Sequence, residues 1–417
     1  MAPSTTNWTG LPNEMKLAVI AAFDEKDAVD MRAIMALALV NTVTYMLCVP
    51  FIFKKINLQS DEAIHTFLAH VPSTYYQHIR ELALCNAPQL DSQFQLDSLS
   101  SRGTSVDLAR VLERCTKVQR LELKLTGSPS AEIIEPFTTF SDLERLSIEN
   151  CSCEEQAPLS ERLVVSIALS VPHLRDLTLK RISRSAIHAP DMLGSSHVPL
   201  VSNDTSIPAH PSSIPLSLPS LLLIPTLQSL RISEMHLGDP RWEEVTVLAH
   251  KLSTLELGGC VYESDDFNRL CAERILHRLH RTLSTFTLGI PLASATTSTL
   301  SIAAFTPVHG GGIGFFATLP VPPMQNLKIL RISPHFPIDD LVSTLATTTL
   351  SASPIESVCI ECTADDAGDV YEMIEEFFEL REEQGAELFF GRLRGIRVVD
   401  GETGVVCREF SGECLVR

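Results

Sequence analysis

Apolar residues recur along this chain in a six-residue phrase of the form apolar-x-x-apolar-x-apolar. In the copy at 143–148, Leu146 and Ile148 stand two residues apart, which places both side chains on one face of a β-strand. The copies begin at Ile79, Val118, Leu143, Leu174, Leu227, Leu252, Leu283, Leu327, Ile355 and Leu393. So frequent a repeat predicts a stacked solenoid of short strands, because a single copy buries too little apolar surface to fold alone.

Segments with helical periodicity separate the predicted strands. In 105–115, four side chains fall on one face of a helix, namely those of Leu108, Val111, Leu112 and Cys115. Similar stripes occupy 61–70, 160–170, 265–280 and 339–350, and 364–384 adds a helix with a solvated acidic face. This alternation predicts an α/β fold in which helical crossovers join parallel strands, with closing strands at 393–398 and 405–410.

The spacing between copies of the phrase is uneven. Leu174 to Leu227 is 53 residues, whereas Leu227 to Leu252 is 25. The excess falls in a Ser/Pro-rich stretch at 183–220, and a second Gly/Pro-rich stretch lies at 291–323. We interpret both stretches as insertions that form surface loops, the first of them flexible, with a contact or regulatory role as the alternative.

Composition narrows the class of partner and the compartment. The chain has 417 residues, a formal net charge of −18 and no basic run longer than Lys54-Lys55, which argues against a nucleic-acid partner. Its eleven cysteines form no paired framework, and its polar N-terminus lacks a secretory signal. These features predict a reduced protein of the cytoplasm or nucleus.

A second pattern precedes the repeats. Leu-Pro-Asn-Glu at 11–14 opens a predicted helix, an apolar helix surrounds Leu39-Val40-Asn41, and a Pro-x-x-Phe sequence closes the segment at 50–53. This order resembles an F-box over residues 8–58. The following repeats resemble leucine-rich repeats, with Cys151 and Cys260 at the position that carries Asn or Cys. The whole chain resembles the F-box plus leucine-rich-repeat proteins of basidiomycete fungi.

The resemblance implies a leucine-rich-repeat solenoid at 59–417, with parallel strands on its concave face and helices outside. A small all-α F-box-like domain at 1–58 would precede it. The implied function is that of a substrate-recognition adaptor in a cullin-RING (SCF-type) ubiquitin ligase. By matching position, Leu11, Pro12, Ile20, Val40, Pro50 and Phe53 would dock on the small adaptor protein that bridges to the cullin. For Ile20 and Val40, packing within the F-box's own core is the alternative.

An unknown target protein would bind the repeat face. Exposed strand positions on that face are predicted to be Glu122, Lys124, Ser147, Glu149, Thr178, Arg231, Ser233 and Glu256. Two alternatives stay open. The chain could be a leucine-rich-repeat interaction scaffold without a ubiquitin role, or it could be anchored in a membrane through the charge-free stretch 33–53, whose length suits a bilayer-spanning helix. A helix buried inside a small all-α domain explains that stretch as well.

The sequence contains no recognisable catalytic or metal-binding constellation. His309 precedes three glycines, but no Gly-x-Ser-x-Gly nucleophile elbow accompanies them. Cys151-x-Cys153 lacks a second ligand pair, and Cys271 with His277 and His280 lacks a fourth ligand. We therefore predict a protein without catalysis of its own and without a metal or cofactor.

Overall fold

The computed structural model describes residues 8–23, 31–86, 100–194, 197–244, 251–292, 321–363, 365–386, 388–401 and 403–411. The chain forms two compact units. The first comprises Met1–Ser147 with Ser170–His173, and the second comprises Ile148–Leu169 with Leu174–Arg417.

The first unit opens with three helices and continues with strands and crossover helices. Its elements are α1 (Asn13–Ala22), α2 (Met31–Ala38), α3 (Thr42–Ile52), β1 (Lys55–Leu58), α4 (Asp61–His70), β2 (Glu81–Cys85), α5 (Ser100–Arg114) and β3 (Arg120–Leu125). Strands β1, β2 and β3 are parallel neighbours, with Leu58 opposite Leu84 and Leu84 opposite Leu123. Strand β1 therefore belongs to a sheet, although it lies inside the predicted helical segment 1–58.

The second unit continues the alternation. Its elements are α6 (Glu161–Ser170), β5 (Asp176–Lys180), β6 (Arg184–Ser185), β7 (Leu200–Val201), β8 (Ser229–Ser233), β9 (Thr254–Gly258), α7 (Asp265–Leu279), β10 (Thr285–Gly289), β11 (Ile329–Ile332), α8 (Leu341–Leu345), α9 (Thr348–Ser351), β12 (Ser357–Cys362), α10 (Ala367–Gln384), β13 (Gly395–Asp400) and β14 (Val406–Ser411). Strand β4 (Arg145–Asn150) spans the division between the units.

In the part of the chain that the structure describes, the strands of the main sheet are ordered β1-β2-β3-β4-β5-β8-β9-β10-β11-β12-β13-β14, and β6 pairs with β7. The strands β5, β8, β9, β10, β11, β12 and β13 each run parallel to the next in this order, whereas β14 pairs antiparallel with β13. Each predicted copy of the phrase holds one strand, which begins two residues after the first apolar residue of the copy. The predicted mixed α/β fold with a mostly parallel sheet is confirmed.

The apolar residues of the phrase form the core. In the second unit, one row of the sheet runs through Leu177, Leu230, Leu255, Phe286, Leu330, Val358 and Ile396, and every member is buried. Because strand side chains alternate between faces, the intervening residues project from the opposite side. We call that side the polar face.

The three N-terminal helices enclose a small core of their own. Ile20, Ile34, Ala38 and Cys48 are buried together. Asn41 separates α2 from α3 and caps α3, because its Oδ1 accepts a hydrogen bond from the Thr44 amide at 2.8 Å. The charge-free stretch 33–53 is thus divided between two short helices. In the parts of the chain that the structure describes, no helix has the length and apolarity needed to cross a bilayer.

The stretch 183–220 was predicted to form a surface loop, but part of it is buried. Its strand β6 contains Arg184 and Ser185, both of which have no exposed surface. The Arg184 guanidinium lies 3.1 Å from Glu161 and donates a 2.7 Å hydrogen bond to Asp239. Glu161 in turn lies 2.6 Å from His188 Nδ1. Charged partners hold Arg184 inside the second unit, and buried apolar side chains of the same stretch, among them Val201 and Leu218, add to the packing. In the other predicted insertion, residues 293–320 lie outside the described residues.

Two further predictions need correction. The predicted apolar helix around Leu39-Val40-Asn41 is interrupted there, because Leu39 and Val40 form a turn and Asn41 caps the next helix. The predicted helix 339–350 is divided into a short 3-10 turn (Ile338–Asp340), α8 and α9, with Thr347 buried between the two helices. Thr residues favour helix interiors poorly, which accounts for the break. In the turn after β4, Asn150 Nδ2 donates a hydrogen bond to the Ala157 carbonyl at 3.0 Å. By contrast, the glutamates of α10 are exposed as predicted.

Candidate functional site

The polar face of the second unit contains a groove of about 1090 Å³. It extends over β5 and β8 to β12, and the parallel register aligns its side chains in rows. The central row places Thr178, Arg231, Glu256, Thr287 and Arg331 on successive strands. Polar side chains that are far apart in the sequence therefore lie on one surface.

Two glycines line the groove where neighbouring strands approach closely. A Cβ on Gly258 would lie 3.1 Å from Ser233 Cα, and a Cβ on Gly289 would lie 2.9 Å from the Leu257 carbonyl oxygen. Any larger residue at Gly289 would push against the backbone of the neighbouring strand. Two residues with small side chains, Ser233 and Ser333, also line the groove.

Charged pairs of opposite sign cross the floor of the groove. Arg231 Nε lies 3.7 Å from Glu256 Oε2, and Arg331 Nη1 lies 3.7 Å from Glu361 Oε1. Both separations exceed hydrogen-bond length, so the carboxylate oxygens keep free acceptor positions. Burial raises the pKa of Glu256, Arg231 opposes that shift, and the Glu361 carboxylate adds to it. Glu256 is thus a carboxylate with less solvation than it would have in water.

A second charged cluster lies where β4, β5 and β8 end. Arg181 Nη2 donates to Glu149 Oε1 at 2.7 Å, and Lys180 Nζ lies 3.3 Å from Glu234 Oε1. Arg181 and Glu234 both adopt left-handed backbone conformations, with φ of 55° and 53°, directly after their strands. The four side chains together fix the rim of the groove at this edge.

The predicted target-binding residues divide between the two units. Arg231, Ser233 and Glu256 line the groove. Thr178 shares their row, and Glu149 belongs to the rim cluster. In the first unit, Ser147 is half-buried and Glu122 pairs with Lys124 at 2.9 Å.

The lining residues that sequence reasoning missed include Lys180, Thr287, Arg331 and Glu361. Thr287 and Arg331 stand between the second and third apolar positions of their copies, the same place as Arg231 and Glu256. Their position in the phrase could therefore have identified them.

The first unit carries a different surface. Eight large apolar side chains of its N-terminal helices and turns are between 40% and 86% exposed, namely those of Met15, Leu17, Val19, Met35, Leu39, Val40, Val43 and Met46. Helical spacing places Met35 beside Leu39 and Val43 beside Met46. Soluble proteins seldom expose so many large apolar side chains on so short a segment, unless a partner covers them.

The predicted docking residues differ in accessibility. Pro12 and Val40 are exposed, whereas Leu11, Pro50 and Phe53 are half-buried. The Phe53 ring also packs against Tyr75, with centroids 4.7 Å apart. Ile20 has no exposed surface and lies in the three-helix core, so its side chain is not accessible for docking. Its apolar character serves folding, as the alternative proposed.

Burial affects the acidity of several thiols. Burial raises the pKa of Cys115, Cys260 and Cys271 to about 12, which keeps these thiols protonated at neutral pH. Within the described ranges, no three His, Cys, Asp or Glu side chains are grouped so that they could hold a metal ion.

The two surfaces are therefore the candidate functional sites, one apolar and one polar. No family model matches the chain, and no curated protein matches it.

Proposed function

We propose that this chain is a substrate-recognition adaptor of a cullin-RING ubiquitin ligase. Its N-terminal helices would bind the small adaptor protein that bridges to the cullin. Its polar sheet face would bind a target protein. The observation that carries the proposal is the exposed apolar surface of α1 to α3, directly ahead of a sheet of repeated strands.

The apolar surface supports the docking role on energetic grounds. A stable protein interface buries about 1,600 Å² in total, and its centre is depleted of charge. Burial of apolar surface contributes roughly 25 cal/mol per Å², so several large side chains can supply most of the driving force. Leu39 and Val40 lie in the turn between α2 and α3, and their exposed fractions of 86% and 51% make them the strongest anchors.

The mechanism is positioning. A target held on the sheet would be brought near a ubiquitin carrier bound elsewhere in the ligase, which raises the effective concentration of a target lysine. The other ligase subunits would supply the chemistry. This chain would contribute binding surfaces alone, which agrees with the protonated state of its buried thiols.

Co-purification with the cullin-bridging adaptor protein tests the proposal. We expect the wild-type chain to bind, and we expect Leu39→Glu/Val40→Glu to weaken binding by about tenfold or more, because each change buries a charge at the interface. The matched control is Leu388→Glu/Val405→Glu, which alters two exposed apolar residues of the second unit. The control should bind like the wild type.

Two results would reject the adaptor role. One is a wild-type chain that fails to bind the adaptor protein, which would favour the interaction scaffold without a ubiquitin role. The other is equal binding by the Leu39→Glu/Val40→Glu variant, which would place any contact elsewhere. Circular dichroism of each variant establishes that the fold is retained.

A further inference from the structure

The groove of the second unit carries an excess of negative charge. Six carboxylate residues line it, namely Asp176, Glu234, Glu256, Glu263, Asp265 and Glu361. Three cationic residues line it, namely Lys180, Arg231 and Arg331. The lining residues therefore carry three more negative than positive charges, in a chain whose formal net charge is −18. Such a surface attracts cationic groups and repels polyanions.

Two of these carboxylates are placed to receive new hydrogen-bond donors. Glu256 forms an ion pair with Arg231 and Glu361 forms one with Arg331, each at 3.7 Å, which is longer than a hydrogen bond. Both glutamate side chains are about three-quarters buried, with exposed fractions of 27% and 28%. A hydrogen bond from an incoming ammonium or guanidinium stabilises a partly buried carboxylate more than a fully hydrated one.

The floor of the groove suits a peptide backbone. Gly258, Gly289 and Ser233 line the groove with little or no side chain, and the hydroxyls of Thr254 and Thr285 offer hydrogen-bonding groups along an adjacent row. From β5 to β12 the sheet covers five strand intervals, which is about 24 Å at ~4.8 Å each. An extended chain covers that distance with about seven residues.

We propose that this groove binds an extended, lysine- or arginine-containing segment of a partner protein, with Glu256 and Glu361 accepting hydrogen bonds from its cationic side chains. The proposal rests on the proposed function in one respect, since it names the chemical class of the target that an adaptor would recognise. Arg231 and Arg331 lie beside the two glutamates without occupying their acceptor positions at hydrogen-bond distance.

Fluorescence anisotropy with defined peptides tests the groove. The probe is a labelled eight-residue peptide of alternating lysine and serine, compared with glutamate–serine and glutamine–serine peptides of equal length. At about 50 mM salt, where charges act over longer distances, we expect saturable binding of the lysine peptide below about 1 mM and none of the glutamate peptide. The variant Glu256→Gln/Glu361→Gln should weaken that binding about tenfold.

The matched control removes two carboxylates elsewhere. Glu372→Gln/Glu376→Gln alters the exposed face of α10 and changes the net charge by the same amount. It should leave the affinity for the lysine peptide unchanged. If both double variants lost the same affinity for the lysine peptide, the peptide would be attracted only by the net charge of the chain, and the proposal would be overturned. The absence of saturable lysine-peptide binding, or glutamate-peptide binding of equal strength, would also overturn it.

The outcome is independent of the ligase role. The peptide assay uses the full chain alone, so the groove proposal can fail while the adaptor protein still binds the N-terminal helices. Conversely, Leu39→Glu/Val40→Glu should leave peptide binding intact. The peptide assay and the co-purification assay therefore test the groove proposal and the adaptor proposal separately.

Discussion

At the scale of single residues, buried amides complete turns that thiols alone would leave unsatisfied. Asn268 on α7 donates to the Cys260 carbonyl and accepts from the Cys260 amide, both at 3.0 Å. Both groups are buried, and Asn268 itself is almost inaccessible. Since a thiol is a weak donor and a weak acceptor, Cys260 packs the turn while Asn268 provides its hydrogen bonds.

We expect Asn268→Ala to lower the free energy of unfolding by about 2–4 kcal/mol, because a buried N–H and a buried C=O would lose their partner. Urea denaturation measures the change. The control is Asn326→Ala, which removes one hydrogen bond to the Arg281 carbonyl at an exposed turn and should cost about 1 kcal/mol or less. Similar losses in both variants would contradict the role given to Asn268.

At the scale of elements, a strand packs the core with one face and lines the groove with the other. In β9, Leu255 and Leu257 are buried, whereas Thr254 and Glu256 line the groove. The strand is short, so its stability depends on the neighbouring strands that complete the apolar row. The same five residues therefore hold the core together and present the candidate binding surface.

Substitutions on the two faces of β9 should differ in cost. Leu255→Ala should reduce the free energy of unfolding by about 2–5 kcal/mol, through lost burial and the cavity left behind. Thr254→Ala, one position away on the polar face, should change it by about 0.5 kcal/mol or less. Chemical denaturation of both variants compares them directly, and equal costs would show that the face assignment is wrong.

At the scale of the molecule, a buried ionic cluster joins segments of the second unit that are far apart in the sequence. Arg184 contacts Glu161 and Asp239, and Asp239 also accepts a 2.9 Å hydrogen bond from Arg241. Burial alone would raise the pKa of Asp239, but the charge of Arg184 and hydrogen bonds from both arginines outweigh it and lower the pKa to about 2. The same arginine and His188 lower the pKa of Glu161 against its burial.

Acid should weaken this cluster. A carboxylate whose folded-state pKa lies below its ordinary value of 3.8 contributes stability above that value, and the contribution is lost as pH falls toward 2. We expect Asp239 to account for about 2 kcal/mol of the loss in unfolding free energy between pH 5 and pH 2. Urea titrations across that range measure it.

Asp239→Asn should reduce this pH dependence, whatever its effect on stability at neutral pH. Asp339→Asn removes an exposed carboxylate and should preserve the dependence of the wild type. An unchanged pH profile in Asp239→Asn would mean that the acid-sensitive groups lie elsewhere.

Sequence periodicity predicted the strands well and the groove only in part. Each copy of the phrase contains its own strand, because alternation of apolar and polar side chains depends on neighbours two residues away. The groove depends on which strands become neighbours and in what register. Arg331 and Glu361 join Arg231 and Glu256 on one surface only after β8 to β12 align.

The amino-acid sequence by itself determined the α/β character, the parallel strands and the residues that form the apolar rows, since these follow from local spacing. Only the tertiary structure decided that Ile20 is buried while Leu39 is exposed. Only the tertiary structure decided that the Ser/Pro-rich stretch carries a buried Arg184. Burial and charge pairing depend on contacts between segments far apart in the chain, and local periodicity carries no information about those contacts.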